Sequence, residues 1–399
     1  MYGKSEGKPG KLRATLLELW KRITPIKVIK GDLFYFNGED NLYPYKIEGV
    51  INSSPTAFRC ADLMAKYIEG QGLKEGISDL IVNKQKNYKL SNIIEMAASD
   101  IAYHYGVWIH VSYGFDFKTG EIIPKELDIL DYVECRKMKD DDSGYSGKVI
   151  VKDWIGESKS PKGKQEKADD YEWYYPFNKN QKVVLAQIKA DSNDEPDISE
   201  AIKSYRGQVY YLNLTPKYKY ALPRLDSVYN DGDSENRFSL YINTQFRNGF
   251  LGKTIALTSG LEDAESDKVA EDLKTFLGSE NSGDFYYLSL ENVSDLDKVI
   301  KFQQLLPQFN DKLFEATGKQ VRKNIMGAFN NVPEALVLSG DGAMFGTSDE
   351  TYKQMKLFYS EQTEKERYRL SETLTFLGFP CEIKPKIEAE TVNKENGTT

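Results

Sequence analysis

The sequence predicts an α+β chain, and three observations lead there. Two segments of helical periodicity, at 55–70 and 90–105, precede a run of β-prone segments between 107 and 214. Tyrosine is the commonest aromatic, at 26 residues, and clusters between Tyr171 and Tyr220 ("YEWYYPF", "VYYLNL", "KYKYAL"), a composition that suits half-buried sheets and interfaces. After Pro223 the texture changes to long helical periods that flank short strands.

Composition narrows the class. The chain has 399 residues, enough for about two or three domains. Its hydrophobic fraction is 40% and its charged fraction 29%, an ordinary globular balance. The net charge of −8 argues against a clamp that grips a duplex through many phosphate contacts. Cys60, Cys135 and Cys381 are odd in number, far apart and without metal-ligand spacing, so they read as free thiols in a reducing compartment. No apolar run is long enough to cross a bilayer and no signal-peptide core is present, so the expectation is a soluble intracellular protein.

The elements follow in order. "KLRATLLELWKRI" (Lys11 to Ile23) puts Leu12, Leu16, Leu17 and Trp20 on one helical face. Such a basic amphipathic helix can lie on a membrane, but so short a one is more often docked on its own protein. Asn37 to Leu73 reads as a polar turn and then a helix, with Ser53-Ser54-Pro55 as its start and Gly70 as its stop. Leu90 to Tyr105 reads as a second helix, ending near Gly106. "VWIHVSYGFD", "PKELDILDY", "GKVIVKDW", "KVVLAQIK" and "GQVYYLNL" read as strands, and the hydrophilic stretches 156–170 and 189–204 as surface loops. Asp32 to about Leu225 is thus a mixed α+β domain.

Ser227 to Asn248 carries Phe238, Tyr241, Ile242 and Phe246 at helical spacing. A strand ("KTIALTS"), an acidic amphipathic helix ending at Gly278 and a second strand ("GDFYYLSLEN") follow. Pro307 to Asn330 reads as another long helix, with Phe309, Leu313, Val321, Ile325 and Phe329 in period and Gly318 tolerated. A helix from about Asp349 to Leu377 closes the ordered part, and the polar tail past Pro385 reads as disordered. A compact strand–helix–strand module is therefore held between two long helices, an arrangement commoner in assembly proteins than in globular enzymes.

The stretch "ALVLSGDGAMFGTSD" has the look of a phosphate-binding turn: an apolar run, a glycine loop and helix N-cap residues. The glycines at 340, 342 and 346 miss the dinucleotide spacing by one residue, and no lysine precedes Thr347 for a Walker loop. A flexible connection between helices, capped by Thr347 or Ser348, fits better. It leaves Leu336, Val337, Leu338, Met344 and Phe345 on a loop, in need of apolar contact. His104 and His110, with Asp100 and Asp116 near, allow a metal cluster, but hydrogen-bonded core histidines are the commoner outcome. No G-x-S-x-G elbow occurs. Glu262, Asp263, Glu265, Asp267, Glu271 and Asp272 could serve a metal-dependent nuclease, yet they spread around their helix, so a solvated acidic face is the stronger reading. Neither a cofactor nor a catalytic residue is predicted.

The order of these segments resembles that of the portal proteins of tailed bacteriophages, the head-tail connectors. From Arg237 to Leu377 the resemblance rests on "FRNGFLGKTIAL", "FLGSENSGDFYYL", "IMGAFNNVPEALVL" and "FGTSDETYKQMKLFY". "GEDNLYP", "SSPTAFRCADLMAKYIEGQGL" and "AASDIAYHYGVWIHVSYG" extend it through the first half.

The resemblance implies a wing region at 1–225, a first stem helix at 226–249, a clip at 250–299 and a second stem helix at 300–330. It further implies a tunnel loop at 331–348, a wing or crown helix at 349–380 and a loose tail at 381–399. Leu336, Val337, Leu338, Gly340, Asp341, Gly342, Met344, Phe345 and Gly346 would face DNA, the glycines allowing the loop to change shape. Lys319, Arg322 and Lys323 would form a weak belt of phosphate contacts. Glu262, Asp263, Glu265, Asp267, Glu271 and Asp272 would lie on the clip, which docks the terminase large subunit and later the tail adaptor. The implied partners are further copies of the chain in a dodecameric ring, double-stranded DNA, and a capsid or scaffolding protein, with no membrane. The implied place is the portal vertex of a virion assembled in the host cytoplasm. The short stretch after Leu377 leads to the expectation of a minimal crown.

Overall fold

The computed structural model describes residues 34–73, 77, 79–139, 147–155, 171–247, 253–259, 285–290, 301–305, 311–337 and 349–386. The expected amphipathic helix at Lys11–Ile23, the hydrophilic stretch 156–170 and the acidic helix that carries residues 262–272 lie outside these residues.

The first helix, α1 (Tyr43–Ser53), replaces the expected polar turn. Its sequence holds Pro44 in the first turn and buries Ile47, Val50 and Ile51, a helical spacing hidden among polar neighbours. The helix α2 (Pro55–Glu69) begins as expected: the Ser54 hydroxyl accepts from the Ala57 N–H, and Pro55 occupies N1. It ends at Gly70, whose φ of +72° favours glycine; a Cβ there would lie 2.0 Å from the Lys384 carbonyl oxygen. A short hairpin, β1 (Ile81–Asn83) and β2 (Tyr88–Lys89), leads into α3 (Leu90–His104), which stops at Tyr105 in the left-handed conformation.

The strands β3 (Gly106–Asp116), β4 (Glu121–Leu130), β5 (Cys135–Lys137), β6 (Val149–Val151) and β7 (Glu172–Pro176) come next. After two helices, α4 (Gln181–Asp191) and α5 (Ile198–Ala201), β8 (Gln208–Asn213) completes a six-stranded sheet. The order is β4-β3-β8-β7-β6-β5, antiparallel except where β7 meets β8 with Tyr175 opposite Gln208. Alternation along β3 sorts its two faces. Val107, Ile109 and Val111 join the main core with Ile93, Ala97 and Ile101 of α3. Trp108 points the other way, into a smaller core with Val209, Val149 and Tyr132, and stacks on Tyr211 at 3.8 Å.

Two expectations in this region fail. "KVVLAQIK" is helix α4, not a strand: Asn180 caps it, and only Val184 and Ile188, one turn apart, are buried. The stretch 189–204, expected as loop, contains α5 and a 3-10 turn at Ile202–Ser204.

The second half begins with a 3-10 turn (Arg224–Val228) that runs into α6 (Tyr229–Arg247). β9 (Lys253–Ser259) and β10 (Phe285–Leu290) form where strands were expected. A third strand, β11 (Lys301–Leu305), was expected as the start of the second long helix. The sheet order is β10-β9-β11, with β10 parallel and β11 antiparallel to β9. The helix α7 (Asp311–Ala328) follows and runs unbroken through Gly318. "ALV" then forms one turn of helix, α8 (Glu334–Val337), instead of an apolar run on a loop.

The last helix is two: α9 (Asp349–Gln362) and α10 (Glu364–Phe376). They part at Thr363, whose hydroxyl donates back to the Tyr359 and Ser360 carbonyls. The start of the expected disordered tail is packed: Ile383 is buried and forms a bridge with Leu73. The C-terminal helices do not form a body of their own. Ile325, Phe329, Tyr359, Leu370, Leu374 and Leu377 share one core with α1, α2 and α3.

Candidate functional site

Long-range polar contacts join α6 and α7 to each other and to the α+β body. The two helices run antiparallel: Asn324 donates to Asp231 at 3.2 Å, and Arg322 approaches Glu235 at 3.9 Å. Gly232 allows α6 to approach α1, since a Cβ there would meet Val50 Cγ1 at 2.7 Å.

Glu235 fixes α6 to the body. Its carboxylate accepts from the Ser54 hydroxyl at 2.5 Å, the Thr56 N–H at 3.1 Å and the Thr56 hydroxyl at 2.7 Å. A carboxylate at the N-terminus of α2 also meets the favourable end of that helix's dipole. Below it, α2, α6 and α7 enclose a cleft of about 380 Å³ that includes Arg59, Phe238, Ile242, Gly318, Val321 and Arg322. Arg59 also donates to the Val337 carbonyl at 3.4 Å, which ties α2 to α8.

A second junction sits just past the C-terminus of α7. Glu366, 2% exposed at its side chain, accepts from Tyr105 at 2.8 Å, Arg224 at 3.0 Å and Asn330 at 3.2 Å. The junction joins α10, α3, the turn before α6 and the end of α7. Asn330 and Asn331, at φ +61° and +54°, turn the chain there, a conformation asparagine tolerates. Burial, then the neighbouring Glu366 charge, pushes the Tyr105 hydroxyl above its ordinary range, so it remains a donor. Glu235 and Glu366 leave no local signal in the sequence, because their partners lie at least 36 positions away.

The predicted site residues are distributed unevenly. Leu336 and Val337 do not stand free: Val337 is buried and Leu336 packs against the main core. Leu338, Gly340, Asp341, Gly342, Met344, Phe345 and Gly346 lie outside the described residues, as do Glu262, Asp263, Glu265, Asp267, Glu271 and Asp272. The three cations do not form one belt. Arg322 turns toward Glu235 and the cleft, while Lys319 pairs with Glu315 at 2.7 Å on the exposed face, one turn from Lys323. Helical geometry separates 322 from 323 by about 100°.

The histidines are held individually. His104 Nε2 lies 3.0 Å from Glu48 and its ring stacks on Tyr132, and His110 Nε2 lies 2.7 Å from the Arg206 carbonyl. Burial lowers the pKa of both. Among the described residues no group of three or more His, Cys, Asp or Glu side chains could hold a metal ion. The three cysteines are free; Cys60 and Cys135 are buried, and burial pushes the Cys60 thiol up to about 12. Among the described residues no helix is long and apolar enough to cross a membrane.

No family model matches the sequence. No curated protein matches it either. Among solved structures, one similar chain belongs to "Virion of native gene transfer agent (GTA) particle", with TM-score 0.49, 14% identity, and 86% of this chain and 84% of that chain covered. Another belongs to "Neck of native GTA particle computed with C12 symmetry", with TM-score 0.47, 15% identity, and 88% and 86% covered. A third belongs to "Neck of empty GTA particle computed with C6 symmetry", with TM-score 0.47, 14% identity, and 87% and 85% covered. A likeness at this level concerns the course of the chain and assigns no function.

Proposed function

We propose that this chain is a portal-type subunit of a tailed-phage-like particle, assembling as a ring at one vertex of the capsid. The observation that carries this reading is the antiparallel α6–α7 pair, which is rooted in the α+β body by Glu235 and brackets the β10-β9-β11 sheet. In the sequence, α6, α7, β9 and β10 stand where the portal resemblance puts stem and clip, while β11 falls just past the clip's bound. The body would then be the wing, and double-stranded DNA would pass along the ring axis during packaging and ejection.

In this reading the strand module and the acidic residues 262–272 dock the terminase large subunit and, later, the head-tail adaptor. The tunnel-loop contacts narrow to Leu338, Met344 and Phe345, with Gly340, Gly342 and Gly346 as its hinges, because Leu336 and Val337 are committed to the core. Apolar contacts of this kind do not grip phosphates, and weak contacts are what a moving duplex requires. Lys319 and Lys323 are the remaining candidates for phosphate contact. The chain acts as a conduit and platform, with no chemistry of its own.

Light scattering and negative-stain microscopy of the purified protein test the proposal. Rings of about a dozen subunits with a central hole are expected. A monomer that cleaves DNA in a metal-dependent way would overturn the reading in favour of a carboxylate nuclease.

A further inference from the structure

The carboxylate of Glu366 carries its donors on one side only. Oε1 accepts from the Tyr105 hydroxyl, from Arg224 Nη2 and from Asn330 Nδ2. Among the described residues the buried Oε2 accepts from none, and the buried Nε–H of Arg224 has no acceptor. Both orphans belong to side chains that are already paired, Nη2 to Oε1, at 3.0 Å. Leaving a buried donor and a buried acceptor unmade is costly, and here each is what the other lacks.

A guanidinium meets a carboxylate most strongly as a fork, with two parallel N–H groups on the two oxygens. Between Arg224 and Glu366 one arm of that fork is made and the second is open. Tyr105 holds it there: its ring lies 4.1 Å from the guanidinium carbon, and its hydroxyl accepts from Nη2. The position of the pair gives this a consequence. Arg224 opens the 3-10 turn that runs into α6. Asn330 follows α7, and its amide also donates to the Gln362 carbonyl at 3.0 Å. Glu366 therefore ties the body-side ends of both long helices to α10.

We propose that Arg224 and Glu366 form a two-position latch: open with one arm made, closed when the Arg224 Nε–H also reaches Oε2. Closing moves the 3-10 turn, and α6 with it, relative to α10. It also draws the carboxylate away from Asn330, which can leave Oε1 because its amide keeps the Gln362 carbonyl. The start of α6 and the end of α7 are thus set together. The latch belongs to the single chain and does not depend on the ring reading.

Pulsed EPR distances test it, with nitroxides at Asn243→Cys on α6 and Tyr368→Cys on α10, both exposed positions. The background is Cys381→Ser, and labelled chains are diluted among unlabelled ones. The parent should give two distances. Arg224→Lys keeps the charge but has no fork, and Glu366→Gln puts an amide N–H₂ where Oε2 stood. Each should leave a single distance, the same in both. Asn330→Gly suits the left-handed backbone but takes one donor from Oε1, so it should shift the populations severalfold toward the other distance. A contact that served stability alone would move all three variants in one direction. That result, a single distance in the parent, or proportions that the variants leave unchanged would overturn the proposal.

Discussion

Glu235 accepts hydrogen bonds from both the backbone N–H and the hydroxyl of Thr56, at 3.1 and 2.7 Å, and so fastens α6 to the first turn of α2. The residues stand 179 positions apart. The contact satisfies an N-terminal N–H that α2 cannot satisfy internally.

Replacing Glu235 by alanine leaves that N–H and two hydroxyls without their acceptor. We expect a loss of about 1–3 kcal/mol of stability in urea unfolding. Glu235→Gln, which keeps one carbonyl acceptor but loses the charge at the helix end, should fall between the variant and the parent. An alanine variant as stable as the parent would show that the contact contributes nothing net.

The junction at Glu366 should be more sensitive. Removing its carboxylate leaves the buried Tyr105 hydroxyl without its acceptor and the guanidinium of Arg224, about a third exposed, without its counter-charge. Glu366→Ala is expected to cost about 3 kcal/mol. Hydrogen exchange would place the loss in α10 and the end of α7, leaving the β5–β6 end of the sheet protected.

Two buried groups give stability opposite dependences on pH. Burial lowers the His104 pKa, against the opposing influence of Glu48. The unfolded chain then binds that proton first as pH falls below about 6.5, so the contribution of His104 is present above that pH and lost below it. Burial, aided by Asp131 and Glu48, raises the Asp100 pKa well above the ordinary value. Above about pH 4 the unfolded chain releases this proton while the folded chain keeps it, so stability falls as pH rises. The Asp100 Oδ2 is buried without a hydrogen-bond partner among the described residues. Asp100→Asn should therefore stabilise the protein at pH 7 by about 1 kcal/mol and much less at pH 4, as read from melting at the two pH values.

Cysteine reactivity gives an independent check on the core. The Cys60 thiol, at about 12, and the Cys381 thiol, at about 11, are both raised by burial. Neither should react with iodoacetamide at pH 8 at a rate near that of a free thiol, whose ordinary pKa is about 8.5. Cys381, the more accessible of the two, should react first, and rapid labelling of Cys60 would contradict the packing of α2.

Much of the fold was legible because it is written in local chemistry. Ser54 and Pro55 announced α2, the β-prone run "VWIHVSYGFD" announced β3, and the period of Val321, Ile325 and Phe329 announced α7. The misreadings fell where local pattern is ambiguous. "KVVLAQIK" has the β-branched residues of a strand but buries Val184 and Ile188 at helical spacing, and α1 hides its apolar face among tyrosines and a proline.

By itself, then, the sequence determined most of the elements, the α+β class and the order in which two long helices flank short strands, since periodicity, caps and turn residues act over a few positions. Only the tertiary structure decided that Val337 belongs to the core, that Arg322 turns to Glu235 and away from Lys323, and that α10 completes the core of α2 and α3. Those outcomes depend on which distant surfaces meet. A burial partner or a carboxylate many tens of residues away leaves no local pattern, and packing alone selects it.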